Sequence, residues 1–308
     1  MKYANKGIIK WIVVATVVIA LGVGGFLGYK YFKSDEYKLH KKGYNQDQIT
    51  EILKLKQEKK NYIFNNEYNP EILKFYKEKY FVMDNLKKYL NYKKENKDKS
   101  YSDVVVLVNV RADEEFYTDP IQTDLSKDTL ILVNKYNYLP SDYKIDDLVK
   151  MNLQYAFNDK TIKTEVYASF KELVNVAKQE GLTILANSAY RDNIYQTSIY
   201  DSIKNRQGKA KADSLAARPG HSEHETGLAL DVSTLKGGLD GFETTEEFTW
   251  MKDNAHKFGF ILRYPEGKEH ITGYSYEPWH YRYVGVEVAE KIYELDITFD
   301  EYYAFYLK

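Results

Sequence analysis

The chain begins with an apolar run that carries no charge between Trp11 and Tyr29, WIVVATVVIALGVGGFLGY. These 19 residues approach the roughly 20 that a helix needs to cross a bilayer. Lys2, Lys6 and Lys10 precede the run and place the N-terminus on the cytoplasmic side. Lys30 and Lys33 follow it and weaken that asymmetry. A cleavable signal peptide is the rival reading, but no A-x-A site follows and the run is long for a signal core. The pattern predicts an uncleaved single-pass anchor, with everything beyond about residue 33 outside the cytoplasm.

After the anchor the pattern changes to short helical periods. In NQDQITEILKL, Ile49, Ile52, Leu53 and Leu55 fall near one face. In YNPEILKFYKEKY, Asn69 is placed to cap a helix with Pro70 at its first position. The charged segment KENKDKS, 94–100, marks a boundary. DVVVLVNV and TLILVNKY then predict strands. TEVYASFKELVNVAKQEG predicts an amphipathic helix, with Val166, Phe170, Leu173, Val174 and Ala177 on one face and Gly181 at its C-terminal end. LTILANSAYRD predicts a strand that leaves into a polar turn, DNIYQTSIYDSIKNRQG a helix, and GLALDVS an interior strand. TTEEFTWMKDNAHKFGF predicts a helix opened by Thr244 or Thr245, and FILRYP and YEPWHYRYVG two further strands. Helices and strands alternate across irregular loops. The fold class expected is α+β, a small mixed or antiparallel sheet with flanking helices, preceded by a transmembrane helix and a short helical stalk. The division expected is 1–33, cytoplasmic N-terminus and anchor; 34–100, a helical membrane-proximal region; and 101–308, the domain that carries the chemistry.

Charge follows the same division. The 308 residues have a formal net charge of −1. Residues 1–33 hold five lysines and no acids, and 34–100 hold 16 lysines against 11 acids, so the remainder is acidic. A basic stalk beside a membrane suits anionic lipid or wall polymer, or is the solvated face of ordinary helices. No nucleic-acid partner is expected. Cysteine is absent, which excludes disulfides, a thiolate nucleophile and thiolate metal ligands.

The candidate chemistry therefore rests on His, Asp and Glu. RPGHSEHETGLALDVS, 218–233, brings two histidines and three acids up to an interior strand. A lone Asp231 on an apolar strand needs a partner for its charge, and a cation would supply one. A hydrolytic zinc site wants three nitrogen or oxygen ligands, one open position and a nearby carboxylate to take the proton of water. His224 and Asp231 are one candidate pair. Glu277 and His280, three apart across Pro278, are another, because the proline breaks strand alternation and can turn both toward one point. His221 and His224 form an HxxH pair that could itself bind metal. His256 reads as structural, and His270 and His40 have no arguable role.

The wider pattern is more specific. SEHETGLALD matches SxHxxGxAxD and EPWHYRYVG matches ExxH, the motifs of the VanY-type zinc D-alanyl-D-alanine carboxypeptidases. SAYRD with Gln196 resembles a third signature of that family, with SGYRS the more usual form, and GFILRYPEGKEHITGY resembles the approach to the ExxH strand. The segments occur in the family's order within 101–308; the motifs do not cover 34–100. The resemblance implies one zinc ion held by His224, Asp231 and His280, with Glu277 as the catalytic base. It implies Arg191 facing the scissile carbonyl, and Gln196 and Ser222 contacting substrate. His221 then falls outside the motif, as a neighbour of the site or facing solvent. A guanidinium suits the oxyanion or the free carboxylate that an exopeptidase must recognise. The resemblance implies a carboxypeptidase that removes the terminal D-Ala from peptidoglycan stem peptides, and the apolar run makes it a membrane-anchored, extracytoplasmic enzyme, expected as a monomer. L,D-cleavage of the tetrapeptide stem and a catalytically silent wall-binding module are the alternatives.

Overall fold

The computed structural model describes residues 4–308, with side chains from Lys10 onward. The expectation placed on Lys2 lies outside the described residues, as does the side chain of Lys6. The apolar run forms one helix, α1 (Ala4–Phe32). Its most apolar 18-residue stretch within Lys10–Phe32 has a mean hydropathy of 2.3, and none of that stretch is buried within the protein.

The chain divides into two compact units, 1–105 and 106–308. In the first, α1 is followed by α2 (Asp35–Lys42), α3 (Gln46–Leu53), α4 (Gln57–Asn65), α5 (Glu71–Phe75) and α6 (Leu86–Glu95). Local caps start several of them. Asn45 and Gln48 form a capping box on α3, and Asn69 Oδ1 accepts from Glu71 N at 3.0 Å. Leu39, Ile49, Ile52, Ile63, Phe75 and Tyr89 are buried, whereas Leu53 lies on an exposed face of α3.

DVVVLVNV does not form the strand its β-branched residues predict. It lies in a helix, α7 (Tyr101–Asn109). Ser100 and Asp103 explain the difference. Asp103 N donates to Ser100 Oγ at 3.0 Å and Ser100 N to Asp103 Oδ2 at 3.1 Å. This reciprocal cap satisfies two donors at the start of a helix. Val104, Val105, Leu107 and Val108 are then buried at helical spacing.

In the second unit, β1 (Ile121–Gln122) pairs in parallel with β2 (Asn137–Tyr138), and β3 (Leu148–Lys150) pairs antiparallel with β4 (Thr161–Lys163). TLILVNKY, between β1 and β2, is also not a strand. Its Asn134 side chain accepts from Tyr136 N and Asn137 N, both at 2.9 Å, which bends the backbone into a turn. The carbonyls of Thr129 and Ile131 are taken by Arg282 Nη2 rather than by a neighbouring strand.

α8 (Thr164–Gln179) buries the five apolar positions its period predicts. It packs against the sheet formed by β5 (Ile184–Ser188), β6 (Ala229–Thr234), β7 (Phe260–Leu262) and β8 (His280–Tyr283). The strand order is β5-β6-β8-β7 and every pair is antiparallel. The connections carry α9 (Asn193–Gln207), α10 (Lys209–Leu215), α11 (Glu246–Asn254) and α12 (Glu269–Thr272), and α13 (Val286–Leu295) and α14 (Phe299–Tyr302) follow β8. Thr245 is the residue that caps α11, accepting from Phe248 N. Leu230, Val232, Tyr281 and Phe260 share the main core with Phe170 and Leu173 of α8. The second unit is thus a mixed helix-and-sheet fold with small sheets, as the sequence predicts, and its main sheet is wholly antiparallel.

Candidate active site

Asp231 and His280 stand directly opposite one another in the β6–β8 ladder. Opposed residues share a face, so both side chains lie on the same side of the sheet. Their neighbours Leu230 and Tyr281 point into the core by the two-residue alternation of strands. Ser188 opposes Asp231 on the other side, after a bulge between Ala186 and Ser188 that shifts the register. Such a bulge re-aims the end of a strand, here the segment that leads to Arg191.

His224 arrives from a single 3-10 turn, Glu223–Thr226, which ends on Gly227 in the left-handed region at φ 66°. A Cβ at Gly227 would stand 3.0 Å from Lys163 Cγ and 3.1 Å from Ile145 Cδ1. Glycine alone lets the turn feed β6 without strain. His224 Nδ1 is hydrogen-bonded to the Ala189 carbonyl at 2.7 Å, which turns Nε2 toward Asp231 Oδ1 at 3.4 Å. His280 Nδ1 lies 3.2 Å from that same oxygen.

The Asp231 carboxylate is divided. Its Oδ2 accepts from Arg191 Nη2 at 2.7 Å. Its Oδ1 is buried and makes no hydrogen bond of ordinary geometry. The ligand atoms of His224, Asp231 and His280 all lie within 4.8 Å of one another. Two donors each about 2.0–2.2 Å from a tetrahedral zinc ion stand about 3.3–3.5 Å apart, which the 3.2 and 3.4 Å separations match. An orphaned carboxylate oxygen between two imidazole nitrogens is what a divalent cation would satisfy. The donor set fits zinc.

Glu277 lies in the turn before β8, where His280 N donates to its carbonyl at 3.1 Å. The turn brings the Glu277 carboxylate to 3.6 Å from His280 Nδ1. Burial pushes its carboxyl up to about 7, and a cation at the three ligand atoms would draw it back down. Burial also takes His224 down to about 4, with the Arg191 charge acting in the same direction. Burial pulls His280 down as well, but Asp231 and Glu223 outweigh it and push the imidazole up to about 9.

Arg191 is held by three acceptors: Asp231, Ser188 Oγ at 3.0 Å and Gln196 Oε1 at 3.5 Å. Gln196 is buried, and its Nε2 donates to the Ala217 carbonyl at 2.8 Å. Arg191, Gln196, Ser222, Glu277 and Trp279 line, with the three cluster residues, a cleft of about 230 Å³. Every site residue singled out in the sequence therefore meets in one cleft. His221 stands apart from the cluster. Its Nδ1 is hydrogen-bonded to the Asn134 carbonyl at 2.8 Å and its ring meets Tyr117 edge-on. His256 stacks on Tyr293 at 3.8 Å, and His40 and His270 are exposed.

Glu223 was not singled out, yet its Oε2 lies 3.4 Å from His280 Nε2. A signal for it existed. Arg263 and Arg282 fall on segments that read as strands, both are buried, and buried arginines demand buried acids. Glu223 and Glu225 both flank His224, and it is Glu223 that meets both arginines.

Residues 159–286 match the family model of the VanY D-alanyl-D-alanine carboxypeptidases. The putative carboxypeptidase YodJ of Bacillus subtilis is 42% identical over 56% of this chain and 66% of its own length. A D-alanyl-D-alanine carboxypeptidase of Enterococcus faecalis is 36% identical over 59% of this chain and 68% of its own. This chain thus spans about two thirds of the length of either relative. Among solved structures, the LD-carboxypeptidase LdcB is 39% identical with a TM-score of 0.57, covering 60% of this chain and 90% of that one. A vancomycin-resistance D,D-pentapeptidase VanY variant solved with Zn(II) is 37% identical with a TM-score of 0.50, covering 56% and 98%. The chain belongs to the VanY family of D-alanyl-D-alanine carboxypeptidases. It is a zinc metallopeptidase, and zinc is its cofactor.

Proposed function

We propose that this enzyme is anchored in the cell membrane by α1, with its catalytic unit outside the cytoplasm, and removes the terminal D-Ala from peptidoglycan stem peptides. The observation that carries this is the meeting of His224 Nε2, Asp231 Oδ1 and His280 Nδ1 beside the Glu277 carboxylate in one cleft. His224, Asp231 and His280 hold the zinc ion, which when bound supplies Lewis acidity to water and to the scissile carbonyl. Glu277 takes the proton of the attacking water and delivers it to the leaving amine. Arg191 presents its guanidinium to the developing oxyanion or the terminal carboxylate. Asp231, Ser188 and Gln196 keep that guanidinium from swinging away. Ser222 and Gln196 complete the contacts to the peptide.

Residues 1–33 serve as the cytoplasmic N-terminus and anchor, 34–100 as the membrane-proximal region, and 101–308 as the carboxypeptidase domain, in a monomer. The exposed apolar surface of α1 supports the anchor.

D,D-cleavage of the pentapeptide is the reading preferred, in line with the family's activity. The likeness to an LD-carboxypeptidase structure favours a second reading, removal of D-Ala from the tetrapeptide stem. Mass spectrometry of purified enzyme with pentapeptide and tetrapeptide substrates separates the two. Loss of one alanine from the pentapeptide alone supports the first reading, and loss from the tetrapeptide alone replaces it with the second.

A further inference from the structure

Beside His280, Glu223 sits at the inner wall of the cleft and heads a buried polar network that the chemistry above does not use. Glu223 Oε1 accepts from Arg263 Nε at 2.8 Å and from Arg282 Nη1 at 2.9 Å. The side chains of all three are fully shielded from solvent. Glu223 Oε2 faces His280 Nε2 at 3.4 Å. Arg263 Nη1 continues outward to Asp300 Oδ2 in α14 at 2.6 Å, and Asp300 Oδ1 accepts from Asn134 Nδ2 at 2.7 Å. Two acids and two arginines balance in charge. Such a cluster is a poor device for stability alone, because the desolvation of four ions offsets most of their attraction and apolar side chains of similar volume often do as well.

Its position suggests a different use. A metal-ligating histidine has two ring nitrogens, and the partner of the one not bound to metal fixes the tautomer and the plane of the ring. His280 has Nδ1 toward Asp231 Oδ1 and Nε2 toward Glu223. His224 is served in the same way by a backbone carbonyl, through its own Nδ1. Glu223 cannot turn aside, because two arginines hold its other oxygen. Arg263 in turn is held by Asp300, and Arg282 by the carbonyls of Thr129 and Ile131.

We infer that Glu223 is a positioning residue for His280, and that Asp300 on α14 braces it through Arg263. The Glu223 carboxylate holds the imidazole plane so that Nδ1 points into the cleft. α14 is thereby part of the metal site although none of its residues reaches the metal. The inference rests on reading His280 as a zinc ligand.

The test uses the full chain in detergent, as wild type, Glu223→Asp, Asp300→Asn and His280→Ala. Glu223→Asp keeps a charge for both arginines and withdraws it from His280 by one methylene. Asp300→Asn keeps the shape and removes the brace's charge. Folding is followed by circular dichroism, zinc affinity by competition with a chromophoric chelator, and ligand geometry by the visible spectrum of the Co(II)-loaded protein. Outer partners of metal ligands are typically worth about 10–100-fold in metal affinity. Glu223→Asp is expected to fold and to bind zinc in that range more weakly, with a changed cobalt spectrum. Asp300→Asn is expected to shift both readouts in the same direction. Wild-type zinc affinity and an unchanged cobalt spectrum in both variants, while His280→Ala loses the metal, would overturn the positioning role and leave the ligand reading intact. Retention of zinc by His280→Ala would overturn the ligand reading, and the inference with it.

Discussion

Glu277 and His280 are three residues apart and only 3.6 Å separates their functional atoms, yet their replacement has different consequences. Glu277→Gln keeps the shape of the side chain and removes its ability to take a proton. Turnover is expected to fall by roughly 10²–10⁴-fold, the usual share of a general base, with zinc still near one per chain by atomic absorption. Loss of zinc from Glu277→Gln would place that residue among the ligands instead. His280→Ala and His224→Ala are expected to lose metal and activity together, since two ligands hold zinc poorly. His221→Ala is expected to keep its zinc, because the His221 imidazole is already committed to the Asn134 carbonyl. The opposite result for the His221 and His224 pair would shift the loop's alignment to the metal by three residues. Arg191 illustrates what side-chain chemistry alone did not reveal. A guanidinium in this motif suggests a substrate contact, but not that Asp231 would bind it with one oxygen and leave the other for a cation.

Among the elements, the short turn that carries His224 is the most constrained. Gly227 combines a φ of 66° with a crowded position beside Lys163 and Ile145. Gly227→Ala is expected to cost about 1–2 kcal/mol from the left-handed backbone alone, with crowding added, and to weaken zinc binding because His224 moves with the turn. Thermal melts with and without zinc check both effects; an unchanged melt would mean that the turn relaxes freely. The elements legible in the sequence were those whose period is set by one buried face. α8, β6 and β8 belong to this group, whereas His224, Asp231 and His280 stood out through the family motifs, since spacing alone left His221 open beside His224. The elements misread were those settled by side chains that hydrogen-bond to backbone. In α7, the Ser100–Asp103 cap prevailed over a row of valines. In TLILVNKY, Asn134 and a distant arginine satisfied the backbone in place of a ladder. Glu223 was obscured for a related reason: its partners lie about 40 and 60 residues further along the chain, beyond the reach of local pattern.

For the whole molecule, zinc is part of folding as well as of chemistry. A ligand that binds only the native state stabilises it by about 2.7 kcal/mol at a hundredfold excess over its dissociation constant. Chelation is therefore expected to lower the melting temperature of the catalytic unit and abolish hydrolysis, with zinc restoring both. Full activity in metal-free protein would contradict the assignment. α1 makes a separate prediction. Protease added to intact protoplasts is expected to degrade the catalytic unit, and its protection would place that unit on the other side of the membrane. The order of synthesis gives the distant brace at Asp300 a further meaning. A ribosome releases α1 long before it reaches His224, Asp231 or His280, and Asp300 follows all of them. A growing chain thus holds the ligands before it holds the carboxylate that steadies one of them through Arg263 and Glu223. On the inference above, full zinc affinity is then a property of the finished chain, because the last link of the brace is the last to be made.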